Sequence, residues 1–304
     1  MTTLVPKKIF HTDSWILWLI ALPGILHFIL FRYAPMVGNI IAFQDYNIFK
    51  GILGSPWTGF KHFVKMFSFA EFGMILRNTL LLSLYSIVFG FPAPLILALF
   101  LNEIRWIRLQ KVVQTVLYLP HFLSWVIVGG MFINFLGLDG FFNVILGRVF
   151  GMKPIDFITQ PALFQPIVVA IGIWKEIGWG MIIYLAAIAA VDPSLYEAAV
   201  VDGAGRMRQM WSITLPALIP AIVTLSLLRV SNVLNANVEQ LLILLNPLVR
   251  QTGEVIDTYV YRVGLQNSQY SYSTAIGMFK SVVSLLLVVG LNQLSRRTTG
   301  ESIY

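Results

Sequence analysis

Ionisable residues are scarce in the apolar parts of this sequence, so the few that occur there are the first candidates for chemistry. Lys175 and Glu176 are adjacent inside the apolar run 164–191. Ionisable groups at membrane depth ordinarily face a bundle interior or an aqueous cavity. Neighbours on a helix point about 100° apart, so both cannot face one groove squarely. Either one of them lines a polar path, or they make a structural bond to another helix or subunit; the residues alone leave both open. Arg229 and Lys280 lie near the ends of apolar runs, where long basic side chains snorkel to headgroups; Arg229 is also a candidate for the substrate path. Asn232, Asn235, Asn237, Glu239 and Gln240 form an amide-rich turn. An amide both donates and accepts, which suits sugar hydroxyls and helix capping equally. Trp125, Trp174 and Trp179 offer stacking faces or interfacial anchors. Enzyme signatures are missing from the sequence. His11, His27, His62 and His121 fall in separate stretches without an H-E-x-x-H pattern, Ser83, Ser86 and Ser124 have no local partner that marks a nucleophile, and there is no cysteine.

A second candidate is the polar stretch 192–216. Ser194 and Glu197 have capping-box spacing, which predicts a helix starting at Ser194 with Glu197 reaching back. Ala198 and Ala199 are small helix formers that allow close approach by another surface. Gly203 and Gly205 interrupt the helix and permit a turn with positive φ. A second helical stretch, 206–211, leads to Pro216 at the base of the next apolar run. The pattern predicts a helix–turn–helix lying flat on a membrane face. Joined rigidly to two spans, it can transmit force from a soluble partner; packed only on its own protein, it is an ordinary loop.

The elements that must position these residues are membrane spans. The chain of 304 residues is 57% hydrophobic and only 12% charged, with a mean hydropathy of +0.78. A soluble protein carries about 25% charged residues, so too little polar surface is left here to face water. Runs long enough to cross the hydrocarbon core fall at 15–36, 78–102, 112–138, 164–191, 213–232 and 274–294. Pro92, Pro94 and Pro120 should bend the second and third. The apolar stretch 241–248 is too short to span and lies at the interface or dips back into the protein. Lys7 and Lys8 precede the first run, but no small-x-small cleavage site follows, which predicts a retained span. Six spans put both termini on one side. That side then holds nine Lys and Arg in 53 loop residues, against eight in 111 on the other, which places both termini in the cytoplasm. The longer outer loops are expected to form small helices. No internal repeat is visible, so the two-repeat logic of secondary transporters finds no support. The net charge of +7 has no basic–aromatic cluster on a polar domain, which argues against nucleic acid as a partner.

The stretch 192–216 also carries a resemblance. Glu197, Ala198, Ala199, Gly203, Ile213, Leu215 and Pro216 match the EAA-x3-G-x9-I-x-L-P signature of permease subunits of binding-protein-dependent ABC importers, and Asp202-Gly203-Ala204 agrees with its common form. Ile173-Trp174-Lys175-Glu176, Tyr184-Leu185-Ala186-Ala187, Glu239-Gln240 and Val255-Ile256-Asp257-Thr258-Tyr259-Val260 resemble the sugar branch, within it the polysaccharide permease group. The resemblance implies an all-α membrane protein: one permease domain over 1–304, with six transmembrane helices and a cytoplasmic coupling helix between the fourth and fifth spans. It implies that Glu197, Ala198, Ala199, Asp202, Gly203, Ala204, Ile213, Leu215 and Pro216 couple to an ATPase. Expected partners are a second homologous permease, two ATP-binding subunits, an extracytoplasmic solute-binding protein, an oligosaccharide and membrane lipids. The oligosaccharide is either uronate-containing, such as alginate or pectin fragments, or neutral. The sequence lacks G-x-x-x-x-G-K-[S/T], so this chain is not the ATPase and is expected to bind no cofactor; ATP and Mg belong to the partner. A secondary transporter without an ATPase and a membrane enzyme are the alternatives from other classes.

Overall fold

The computed structural model describes residues 14–231, 234–235 and 237–298; Lys7, Lys8, His11 and Asn232 lie outside them. Five helical units are long and apolar enough to cross a membrane: α1 (Trp15–Phe43), α2 (Phe72–Asn102), the unit Trp125–Phe150, the helix Pro161–Ala189 and the segment Tyr270–Gly290. A bent pair, Arg206–Ala217 and Ile219–Arg229, makes a sixth if counted as one span. The described residues contain no strand beyond a single bridge between Gln44 and Trp57.

Proline chemistry explains where these helices break or bend. In α2, a short wide turn at Ser86–Gly90 precedes Pro92, whose ring nitrogen has no proton to donate. The expected run 112–138 is broken in two. Helix α3 (Ile107–Tyr118) ends in the 3-10 turn Leu119–Phe122, which contains Pro120. Ser124 then caps α4 (Trp125–Leu136) by accepting from the Ile127 N–H at 3.3 Å. The expected run 213–232 is bent by 57° between Ala217 and Ile219. Pro220 cannot donate to the Pro216 carbonyl four residues back, and its ring crowds that carbonyl, so the helix turns there.

The helix α5 (Pro161–Ala189) is the axis of the molecule. Its first half enters one buried apolar cluster through Phe164, Val168 and Ile171, together with Trp125 and Val128 of α4. Its second half enters another through Met181, Tyr184 and Ile188, with Ala98 and Leu101 of α2. Backbones come close where glycine removes the side chain. A Cβ at Gly178 would lie 2.0 Å from the Leu117 carbonyl oxygen, and one at Gly180 would lie 2.9 Å from Pro94.

Two helices precede the bend: α6 (Pro193–Val201) and α7 (Arg206–Ala217). After the bend comes α8 (Ile219–Arg229). Between the open choices for 241–248, the structure selects the one inside the protein. Helix α9 (Val238–Leu244) buries Leu241 and Leu244 in the cluster around Trp125 and Val128, and Ile243 covers Gly129. The longer loops expected on the outer side form short helices, among them Lys61–Ser68 and Ile256–Tyr261. The last helix is α10 (Tyr270–Thr298).

Candidate functional site

A cavity of about 510 Å³ opens between α2, α5, α8 and the turn before α9. Its walls are mostly apolar, with a small set of polar side chains: Ser83, Ser86, Glu176, Arg229, Asn235, Asn237 and Gln240. Trp125 and Trp179 contribute aromatic surface.

The adjacent pair on α5 divides as the 100° rotation requires. Glu176 lines the cavity with its side chain 43% exposed. Lys175 turns the other way, its side chain only 6% exposed. Its Nζ donates to the His121 carbonyl at 2.8 Å and to Glu176 Oε1 at 3.2 Å, and stands 5.2 Å from the Trp125 ring centroid. The His121 carbonyl belongs to the broken stretch between α3 and α4, where the helix ladder stops and a backbone acceptor needs another donor. Lys175 supplies it. The His121 ring hydrogen-bonds Glu176 Oε2 through Nδ1 at 2.7 Å and stacks on Trp179 with centroids 4.5 Å apart and planes 6° apart. Sequence distance hid this cluster, since His121 and Glu176 are 55 residues apart.

The Arg229 guanidinium, on an exposed residue, donates to Ser86 Oγ at 2.8 Å and lines the cavity. Among the described residues it makes no ion pair, whereas Glu176 has two cationic or polar neighbours. Lys280 is held inside the protein, where its Nζ pairs with Asp257. In the amide-rich turn, Asn237 caps α9 by accepting from the Gln240 N–H, and Gln240 is buried with its Nε2 donating to the Val168 carbonyl at 2.7 Å. Asn235, Asn237 and Gln240 reach the cavity; Glu239 is exposed and is not part of its lining; Asn232 is outside the described residues. Trp174 packs edge-on against Phe132 instead, at 5.2 Å.

The stretch 192–216 folds as two helices, with its start placed differently from the capping-box expectation. Asp192, not Ser194, is the N-cap: its carboxylate accepts from the Ser194 N–H at 2.9 Å, and Pro193 fills the first helical position. Proline there loses only an N–H that a helix leaves unpaired anyway, so Asp-Pro outcompetes Ser as the starting signal. That hydrogen bond holds the Asp192 carboxyl below the usual carboxylate range. Helix α6 ends in a Schellman motif. Gly203 has φ +75°, its N–H bonds the Val200 carbonyl, and the Ala204 N–H bonds the Ala199 carbonyl. Gly205 has φ −67° and so does not share the positive-φ role expected for it.

Glu197 and Ala198 are exposed on α6, Ala199 and Ala204 are half-buried, and Asp202 and Gly203 are exposed at its end. Ile213 and Leu215 are half-buried and Pro216 is exposed on α7. The Tyr196 hydroxyl bonds Thr214 Oγ1 at 2.9 Å, and Arg206 reaches Glu103 at the end of α2 at 3.3 Å. The first contact joins α6 to α7, and the second joins α7 to the end of α2. The same stretch leaves Leu195, Val200, Val201, Met207 and Trp211 exposed, a concentration of apolar surface on a polar loop.

Residues 72–300 match the family described as binding-protein-dependent transport system inner membrane component. The chain is 49% identical over 288 residues to the polygalacturonan/rhamnogalacturonan transport system permease protein YteP of Bacillus subtilis (strain 168), covering 95% of this chain and 90% of that protein. It is 44% identical over 293 residues to Protein LplB of the same organism, covering 96% and 92%. Among solved structures, it is similar to a chain from the crystal structure of a bacterial ABC transporter involved in the import of the acidic polysaccharide alginate. The TM-score is 0.88 at 42% identity, covering 94% of this chain and 96% of that one.

Proposed function

The chain belongs to the family of binding-protein-dependent transport system inner membrane components, and from that premise we propose that it is one of two permeases in an ATP-driven importer of acidic oligosaccharides. The observation that carries the substrate class is the charge balance of the cavity. Glu176 is paired with the Lys175 ammonium and hydrogen-bonded to the His121 ring, while Arg229 keeps only a hydroxyl partner among the described residues. The cavity therefore offers an anion a guanidinium, and offers a sugar ring the exposed Trp179 and the amides of Asn235 and Asn237. Relatives named for polygalacturonan/rhamnogalacturonan and for alginate support the same class.

The proposed arrangement has both termini in the cytoplasm, which brings α6 and α7 to the cytoplasmic side. There Glu197, Ala198, Ala199, Asp202, Gly203 and Ala204, backed by Ile213, Leu215 and Pro216, form the coupling element seated on an ATPase partner. ATP and Mg are bound and used by that partner. Closure of two such subunits moves α6, and the Tyr196–Thr214 and Arg206–Glu103 contacts pass the motion to α7 and α2. A solute-binding protein delivers substrate from the other side.

The test is ATP-dependent uptake by the complex reconstituted with its partner permease, ATPases and binding protein. Uronate oligosaccharides are compared with the same chains after carboxyl reduction. Losing a hydrogen bond to a charged group costs about 1.5–3 kcal/mol, so Arg229→Gln should slow uptake of the acidic chains by roughly 10- to 100-fold. Uptake of the reduced chains should barely change. Equal effects on both, or faster uptake of the neutral chains by the parent complex, would overturn the acidic assignment.

A further inference from the structure

Between α1 and α2 the chain makes a hydrogen-bonded tip and a short amphipathic helix, both with apolar side chains turned away from the protein. In the tip, Gln44 bridges to Trp57, Ser55 Oγ accepts from the Asn47 N–H and donates to the Gly51 carbonyl, and Asn47 Oδ1 accepts from the Phe49 N–H. This ordered turn leaves Phe49 and Leu53 almost wholly exposed, at 96% and 102%, with Ile48 and Trp57 exposed near them in sequence. In the helix Lys61–Ser68, His62 and Met66 are buried, while Phe60, Val64 and Phe67 form an exposed row at i, i+4 and i+7.

The geometry points to a lipid surface as the occupant: the segment lies in the membrane–water interface at the end of the first span. Depth is the first reason. At 1.5 Å per residue, the 29 residues of α1 extend ~43 Å, about the hydrocarbon core plus both headgroup layers. Phe43 at its end packs against Phe60 and Phe63 at 5.5 and 5.4 Å, so the exposed row begins at headgroup depth.

Continuity is the second. Phe67 packs edge-on to Phe279 of α10 at 5.5 Å. From Phe279, exposed Val282, Leu286 and Val289 continue at i+3, i+7 and i+10 along that span. The row on the short helix thus extends the outward face of a membrane helix. Charge is the third. Exposed Lys50 accompanies the aromatic and aliphatic side chains, while Lys61 pairs with Asp45 at 2.6 Å, fixing the helix to the end of α1, and Lys65 bonds Gln269 at 3.2 Å. Basic residues on the polar side with aromatic and aliphatic residues on the other are what an interfacial helix requires, because apolar burial and attraction to lipid phosphates then add. A soluble partner that leaves in each cycle would return this apolar patch to water, whereas lipid covers it continuously.

The sequence contains no cysteine. Phe49→Cys, Val64→Cys and, as a reference at an exposed loop position, Lys153→Cys therefore each give a unique spin label in this subunit. The partner subunits are freed of cysteine, and monodisperse complex is reconstituted in vesicles of mixed zwitterionic and anionic phospholipid. Labels at 49 and 64 should collide severalfold more with oxygen, which partitions into lipid, than with a water-soluble nickel chelate; the label at 153 should show the reverse. Nickel collision at 49 and 64 equal to that at 153 overturns the inference. So does shielding from both probes, as beneath a second permease, and so does shielding that arises only when loaded binding protein is added.

Discussion

Replacing Lys175 by Met tests whether this lysine is a pathway residue or the donor that holds a broken helix together. Methionine keeps most of the stem and removes the ammonium. Three contacts are lost. The His121 carbonyl, bonded at 2.8 Å, becomes a partly buried acceptor without its donor, at a cost of about 1–3 kcal/mol. The cation over the Trp125 ring at 5.2 Å contributes roughly 0.5–2 kcal/mol. The 3.2 Å pair with half-exposed Glu176 is screened and adds about 0–1 kcal/mol. Together these give a loss of about 1.5–6 kcal/mol, concentrated at the junction of α3, α4 and α5. The assay is the thermal unfolding midpoint of the purified complex, measured alongside uptake. Lys175→Met should lower the midpoint clearly, Glu176→Gln should lower it little, and the double variant should lose less than the two singles added, since the pair is in contact. A Lys175→Met complex that is as stable as the parent but fails in uptake would refute the structural role and return Lys175 to the pathway.

Gly178→Ala puts a methyl 2.0 Å from the Leu117 carbonyl oxygen, so α3 and α5 must separate; a loss of about 1–3 kcal/mol is expected, read as a lower unfolding midpoint, while Gly130→Ala, with open space around it, should be silent. Asp192→Ala should weaken α6 by ~1 kcal/mol, and Gly203→Ala, forced to φ +75°, by about 1–2 kcal/mol; both should reduce substrate-stimulated ATPase activity without preventing membrane insertion. Glu197→Lys should uncouple stimulation outright, and normal stimulation would remove α6 from the coupling role. The Lys61 hydrogen bond, opposed by slight burial and aided by His62, holds the Asp45 carboxyl below its ordinary value. A depressed carboxylate stabilises above its unfolded pKa of about 3.9 and loses that effect as pH falls through the lower folded value. A spin label at residue 50 should therefore keep constant mobility from neutral pH down to about 5 and loosen only below about 4.

Composition settled the class of this protein because the shortage of charge leaves no way to cover a soluble surface, and that is a property of residue counts. The runs that become α2, α5 and α10 were legible within a few residues for the same reason. The turn at Gly203 was legible because glycine is the residue that tolerates its φ. Other features depended on neighbours that the sequence does not identify. The sequence predicts a bend at Pro120, but not what takes the carbonyls left outside the helix ladder there: Lys175 donates to that of His121 from 54 residues away. Arg229 finds Ser86 across 143 positions, a partner that a reading along the chain does not identify. The sequence by itself determined that Lys175 and Glu176 must point apart, since a helix turns 100° per residue. Only the packing of α5 against α2 and the α3–α4 break decided which of them faces the cavity, because a side chain's surroundings are set by the elements that meet it in space.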